Sequence, residues 1–77
     1  MIGYQFKSDH TCDSTSRLEY HSTLSEAMDY CNAHSNCNCI DFLKTDQGES
    51  YTYQTLAVTS HHPHTDYDSW VKVANLK

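Results

Sequence analysis

The sequence predicts an α+β domain in which one α-helix packs across a four- to five-stranded antiparallel sheet, stabilised by disulfides. Three observations predict it. One helical stripe starts at a capping box, several short segments alternate apolar and polar residues, and four cysteines stand in 77 residues. An even cysteine count matters here because a chain of this length buries only about 60% of the surface its unfolded form exposes. Such a domain usually needs bridges, a metal or a partner.

Residues 4–7 carry aromatics at alternate positions and read as a short strand, followed by a polar loop around Cys12. Residues 17–21 read as a second strand, with Leu18 and Tyr20 on one face. In Thr23-Leu24-Ser25-Glu26 the Thr hydroxyl and the Glu carboxylate are placed to satisfy the orphan amides at a helix start. Leu24, Ala27, Met28 and Cys31 then recur at i, i+3, i+4 and i+7, so the helix runs to about Ala33 with one apolar stripe. Residues 38–44 form a central strand, Ile40 and Phe42 facing one way and Cys37, Cys39, Asp41 and Leu43 the other. Asp46-Gln47-Gly48-Glu49 supplies a turn, 50–58 resumes alternation through Tyr51, Tyr53 and Thr55, and 69–73 closes the sheet with Trp70. Residues 59–68 read as a loop rich in His and Asp. No repeat, low-complexity tract or Gly/Ser linker interrupts the chain, so 1–77 is a single domain.

Composition excludes several function classes. The formal net charge is −5 and the lysines and arginine are scattered, which argues against nucleic-acid and anionic-membrane partners. No apolar run approaches the roughly 18 residues of a membrane span. The start, Met-Ile-Gly-Tyr-Gln-Phe-Lys, has no apolar signal region, which counts against a secreted reading unless the chain is a mature domain cut from a longer precursor. Six histidines would carry the formal charge from −5 to about +1 on full protonation. No Asn-x-Ser/Thr sequon is present.

Ser, His and Asp are plentiful, but no Gly-x-Ser-x-Gly elbow or glycine-rich loop exists to build an oxyanion hole, so an enzyme is not expected and no cofactor is implied. His61, His62 and His64 offer clustered imidazoles with Asp66 and Asp68 nearby, an alternative metal site that lacks a distant fourth ligand. Cys31, Cys37, Cys39 and His34 could be grouped as a zinc site, yet C-x5-C-x-C departs from the paired C-x2-4-C pattern. The four cysteines allow three disulfide connectivities. Binding chemistry is carried by aromatics: Tyr51 and Tyr53 on one strand face, and Tyr67 between Asp66 and Asp68, can stack on a sugar ring or anchor a protein contact. Trp70 is the aromatic expected in the core.

Ser25-Glu26-Ala27, Cys31, then Cys37 followed by Ile40 and Phe42 resembles the helix-to-central-strand core of PAN/apple domains. The resemblance extends through Tyr51-Thr52-Tyr53 and Ser69-Trp70-Val71-Lys72 and covers roughly residues 12–73. It departs at Ala27, where the family commonly has a further helix cysteine, and in lacking that cysteine's partner on the next strand. The resemblance implies the bridges Cys31–Cys37 and Cys12–Cys39, and an extracellular module that binds carbohydrate or protein without catalysis. Two other readings stand beside it: a structural subunit of an extracellular filament or coat, self-assembling through an exposed strand edge, and a small metal-binding protein using His61, His62 and His64.

Overall fold

The computed structural model describes residues 3–44, 48–59 and 66–73. One helix packs on a five-stranded antiparallel sheet, and two disulfides are formed. The elements are β1 (Gly3–Ser8), β2 (Thr11–Cys12), a 3-10 turn (Ser14–Ser16), β3 (Arg17–His21), α1 (Leu24–Ala33), β4 (Cys39–Leu43), β5 (Ser50–Tyr53), β6 (Val58–Thr59) and β7 (Tyr67–Val73). The large sheet has the order β1-β7-β4-β5-β3, so β4 is central, while β2 and β6 pair as a separate two-stranded ribbon.

The helix starts where the capping chemistry places it. Thr23 Oγ1 accepts from the Glu26 amide at 3.1 Å. Glu26 reaches one residue further back than a reciprocal box requires and accepts from the Ser22 amide and hydroxyl. At the other end the Lys72 ammonium donates to the carbonyls of Cys31 (2.6 Å) and His34 (3.2 Å), placing a cation on the negative pole of the helix.

Each sheet face carries its own small core. Toward the helix, Ala27, Cys31, Cys37 and Ile40 are fully buried, with Tyr4, Leu18, Leu24, Met28, Tyr30 and Trp70 packed around them. Burying a side chain the size of Ile40 contributes about 1.5–3 kcal/mol. On the opposite face Cys12, Cys39 and Tyr53 are buried against Tyr51, Val58 and Val71, and the β2/β6 ribbon covers them. Cys31–Cys37 closes the first core and Cys12–Cys39, spanning 27 residues, ties the ribbon to the central strand.

Four expectations are corrected. Leu18 and Tyr20 do not share a face: a bulge between Arg17 and Glu19 reverses the alternation, so Leu18 joins the helix-side core and Tyr20 lies on the other side against Tyr51. Cys37 does not share a face with Cys39, because β4 begins only at Cys39 and Cys37, held by its amide to His34 O, turns to the helix. The strand expected over 50–58 ends at Tyr53, where Gln54 and Thr55 amides bond Ser16 and the chain leaves the sheet to build the ribbon. The loop expected over 59–68 is shorter, since Thr59 belongs to β6 and β7 starts at Tyr67, paired with Leu43.

Of the expected 46–49 turn, Gly48 and Glu49 are described. Gly48 has φ +83°, a backbone conformation that favours glycine, and a Cβ there would lie 3.2 Å from Phe42 Cε1, so the ring would have to give by a few tenths of an ångström.

Candidate functional site

The face of the sheet away from the helix gathers most of the aromatic residues singled out for binding. Asp41 stands near its middle, on the central strand, opposite Tyr51 of β5 and Ser69 of β7. Only 2% of it is exposed. Its carboxylate accepts from the Tyr53 hydroxyl (2.8 Å), the Thr11 hydroxyl (3.2 Å) and the Tyr51 amide (3.2 Å). Burial pushes the Asp41 carboxyl above the ordinary carboxylate value, and these three bonds together with the Arg17 charge oppose that rise. Burial, then the neighbouring Asp41, push the Tyr53 hydroxyl well above its usual range.

Tyr51 and Tyr53 therefore divide. Tyr53 is 2% exposed, a core residue whose hydroxyl is committed to Asp41, and it presents no surface to a ligand. Tyr51 is half-buried and carries rings and charge around it: Tyr20 meets it edge-on at 5.3 Å between centroids, and the Arg17 guanidinium lies 4.2 Å from its ring centre. Tyr67 is on the same face, close enough that Asp41 and Tyr51, after burial, raise its hydroxyl. Asp66 is exposed, its carbonyl accepting from the Lys44 amide.

Asp68 faces the other way, toward the sheet's far corner. Lys44 Nζ bridges it at 3.3 Å and Asp9 at 2.8 Å, and the Asp9 amide donates to the same Asp68 oxygen. Hydrogen bonding to Asp9 is the main reason the Lys44 ammonium is held above its ordinary value. Asp68 is thus a structural tie between β1, β4 and β7. Asp9, with φ 62°, makes the turn that allows it.

Arg17 was not among the residues the sequence marked, nor was the buried role of Asp41. A signal for Asp41 existed: a carboxylate alternating with Cys39 and Leu43 on a central strand must be buried and needs donors. Arg17 had none, because its direction depends on the bulge.

A groove of about 460 Å³ lies at the helix C-terminal end, lined by Asn32, Ala33, Ser35, Asn38, Leu56, Lys72 and Val73. Its amides and ammonium serve the fold: Asn32 accepts from the Tyr4 hydroxyl, Asn38 donates to Gln54 O, and Lys72 caps the helix. His61, His62 and His64 lie outside the described residues. Among the described residues no group of three or more His, Cys, Asp or Glu side chains is placed to hold a metal. A Cys31/Cys37/Cys39/His34 zinc site does not form, since all three sulfurs are in disulfides. No described helix is long and apolar enough to cross a membrane. Comparison with known families, curated proteins and solved structures finds no match to this chain.

Proposed function

We propose that this chain is an extracellular, non-catalytic recognition module that binds carbohydrate or protein through the sheet face opposite its helix. The observation that carries this reading is the Tyr20–Tyr51 pair: Tyr20 is 48% exposed and Tyr51 half-buried, on a face whose shape is fixed by the hydrogen-bonded Asp41 beneath. Rigid aromatic surface of this kind gives large contact area at small entropic cost and takes the apolar face of a sugar ring or an apolar side chain equally well. The two disulfides favour an oxidising compartment. The resemblance to PAN/apple modules points to the same class of activity.

The experiment is a glycan-array and extracellular-protein binding screen with the disulfide-intact chain and its Tyr51→Ala and Tyr67→Ala variants, folding being checked by near-ultraviolet circular dichroism. Binding that weakens at least tenfold in Tyr51→Ala supports the reading. Binding unchanged in both folded variants moves the site elsewhere.

A second reading, self-assembly into a filament or coat, has one observation in its favour. β1 is an edge strand with no neighbour beyond it among the described residues, and Phe6 on it is 51% exposed. Light scattering separates the two, since a recognition module is monomeric and a subunit forms concentration-dependent oligomers.

A further inference from the structure

The bulge in β3 gives the face its most specific feature. Arg17 pairs with Tyr53, Glu19 with Thr52 and Tyr20 with Tyr51, so the four residues 17–20 of β3 oppose the three residues 51–53 of β5. Without the extra residue, positions 17 and 20 would point to opposite faces; with it, both side chains meet Tyr51. The Arg17 guanidinium is 4.2 Å from the Tyr51 ring centre and 5.9 Å from that of Tyr53. A guanidinium carries five N–H donors, so the contact with Tyr51 and the hydrogen bond to Tyr53 leave others able to receive a carboxylate.

The other cations of the chain are placed differently. Lys44 is paired with Asp9 and Asp68, and Lys72 is spent on helix carbonyls. Lys7 lies on β1 at the far edge of the sheet. Lys77 is outside the described residues. Among the described residues no carboxylate oxygen lies within 4.0 Å of Arg17. Arg17 is exposed and feels the buried Asp41 and the Tyr53 hydroxyl, to which it also hydrogen-bonds, but no carboxylate is in contact with it, so its remaining donors are suited to an external anion. The formal charge of −5 opposes a polyanion, whose many charges would meet the field of the whole molecule, and favours a ligand with a single charge set at one point.

We propose that Arg17, Tyr20 and Tyr51 form a subsite for a saccharide carrying one carboxylate, a uronic or sialic acid residue, with the sugar ring against the tyrosines and the carboxylate on the Arg17 guanidinium edge. This rests on the recognition reading above and specifies its ligand class. Arg17 supplies the charge that discriminates acidic from neutral sugars, and the bulge sets the spacing between charge and ring.

The test is titration of the intact, disulfide-bonded chain with 3′-sialyllactose, glucuronic acid, lactose and inorganic sulfate, followed by NMR chemical shifts. 3′-Sialyllactose or glucuronic acid is expected to bind at least tenfold more tightly than lactose. The shifts should fall on Arg17, Tyr20 and Tyr51. Arg17→Met should abolish that preference while leaving the circular dichroism spectrum unchanged, and Lys7→Met should leave binding as it was. Lactose binding as tightly as the acidic sugars, in wild type and Arg17→Met alike, overturns the subsite and leaves the recognition reading intact. Sulfate competing as well as the acidic sugars shows a generic anion site and also overturns it. Absence of binding by every saccharide overturns both the subsite and the carbohydrate form of the recognition reading.

Discussion

The Tyr53 hydroxyl donates to the Asp41 carboxylate at 2.8 Å, and both residues are 2% exposed. A central strand thus carries a buried acid on the face away from the helix, with Thr11 of the ribbon and the Tyr51 amide completing its hydrogen bonds. The pair links the ribbon-covered part of that face to its candidate binding part, so a change at Asp41 reports on both.

Because burial raises the folded-state value of Asp41 above its unfolded one, ionising it costs more in the fold than in the unfolded chain. Its contribution to stability is therefore most favourable below the ordinary carboxylate value, near pH 4, and declines as pH rises through the raised value. Asp41→Asn keeps an acceptor but cannot ionise. Measured melting temperatures of wild type and Asp41→Asn across pH 4 to 8 should show the difference moving in favour of wild type on acidification; parallel curves would refute it. Asp41→Ala, which strands three donors, should cost about 2–4 kcal/mol.

Lys72 links the last strand to the end of the helix through two carbonyls. Lys72→Met keeps most of the aliphatic stem and removes the cap, and should lower stability by about 1 kcal/mol in urea unfolding. A loss confined to the charged head group should also leave the m-value unchanged.

The two disulfides should differ in weight. In the chain-entropy model the 27-residue span of Cys12–Cys39 contributes about 3–4 kcal/mol and the 6-residue span of Cys31–Cys37 about 2. The double variant Cys12→Ala/Cys39→Ala should therefore be the less stable of the two double variants. Hydrogen exchange should show its loss of protection first at Thr11, at position 12 and at Val58, the ribbon that the bridge ties down.

Ser50 is fully buried, and among the buried side-chain polar atoms of the described residues its hydroxyl alone has no hydrogen-bond partner. Beside it the buried His21 ring reaches Thr52 Oγ1 at 3.2 Å; the Thr52 hydroxyl gives its hydrogen to Glu19 O, so His21 donates from Nε2. Ser50→Ala removes the unsatisfied group and leaves this neighbour untouched. Stability should be unchanged or higher by up to about 1 kcal/mol, measured by thermal unfolding; a loss above that would show a partner for the hydroxyl.

Local chemistry made the helix legible, because Thr23, Glu26 and the Leu24-Ala27-Met28-Cys31 stripe act within one or two turns of each other. The same holds for β4, where Ile40 and Phe42 against Cys39 and Asp41 set the two faces. The ribbon was not legible: two residues, Thr11 and Cys12, are too few for a period, and they pair with Val58 and Thr59 far along the chain. Nor was the fate of Tyr53, which alternates with Tyr51 in sequence yet is buried where Tyr51 is not, since burial depends on the ribbon lying over one end of the face.

Short-range periodicity and capping are enough to set the α+β class, the single helix and the central strand, and the supply of aromatic and charged groups is written in the composition. Which of those groups meet depends on how the strands pair. The β3 bulge, a one-residue slip against β5, is a property of two strands in register, and it turned Arg17 and Tyr20 together onto Tyr51. Side-chain direction on a strand reverses with every residue, so a single inserted position along the pairing reassigns every contact beyond it.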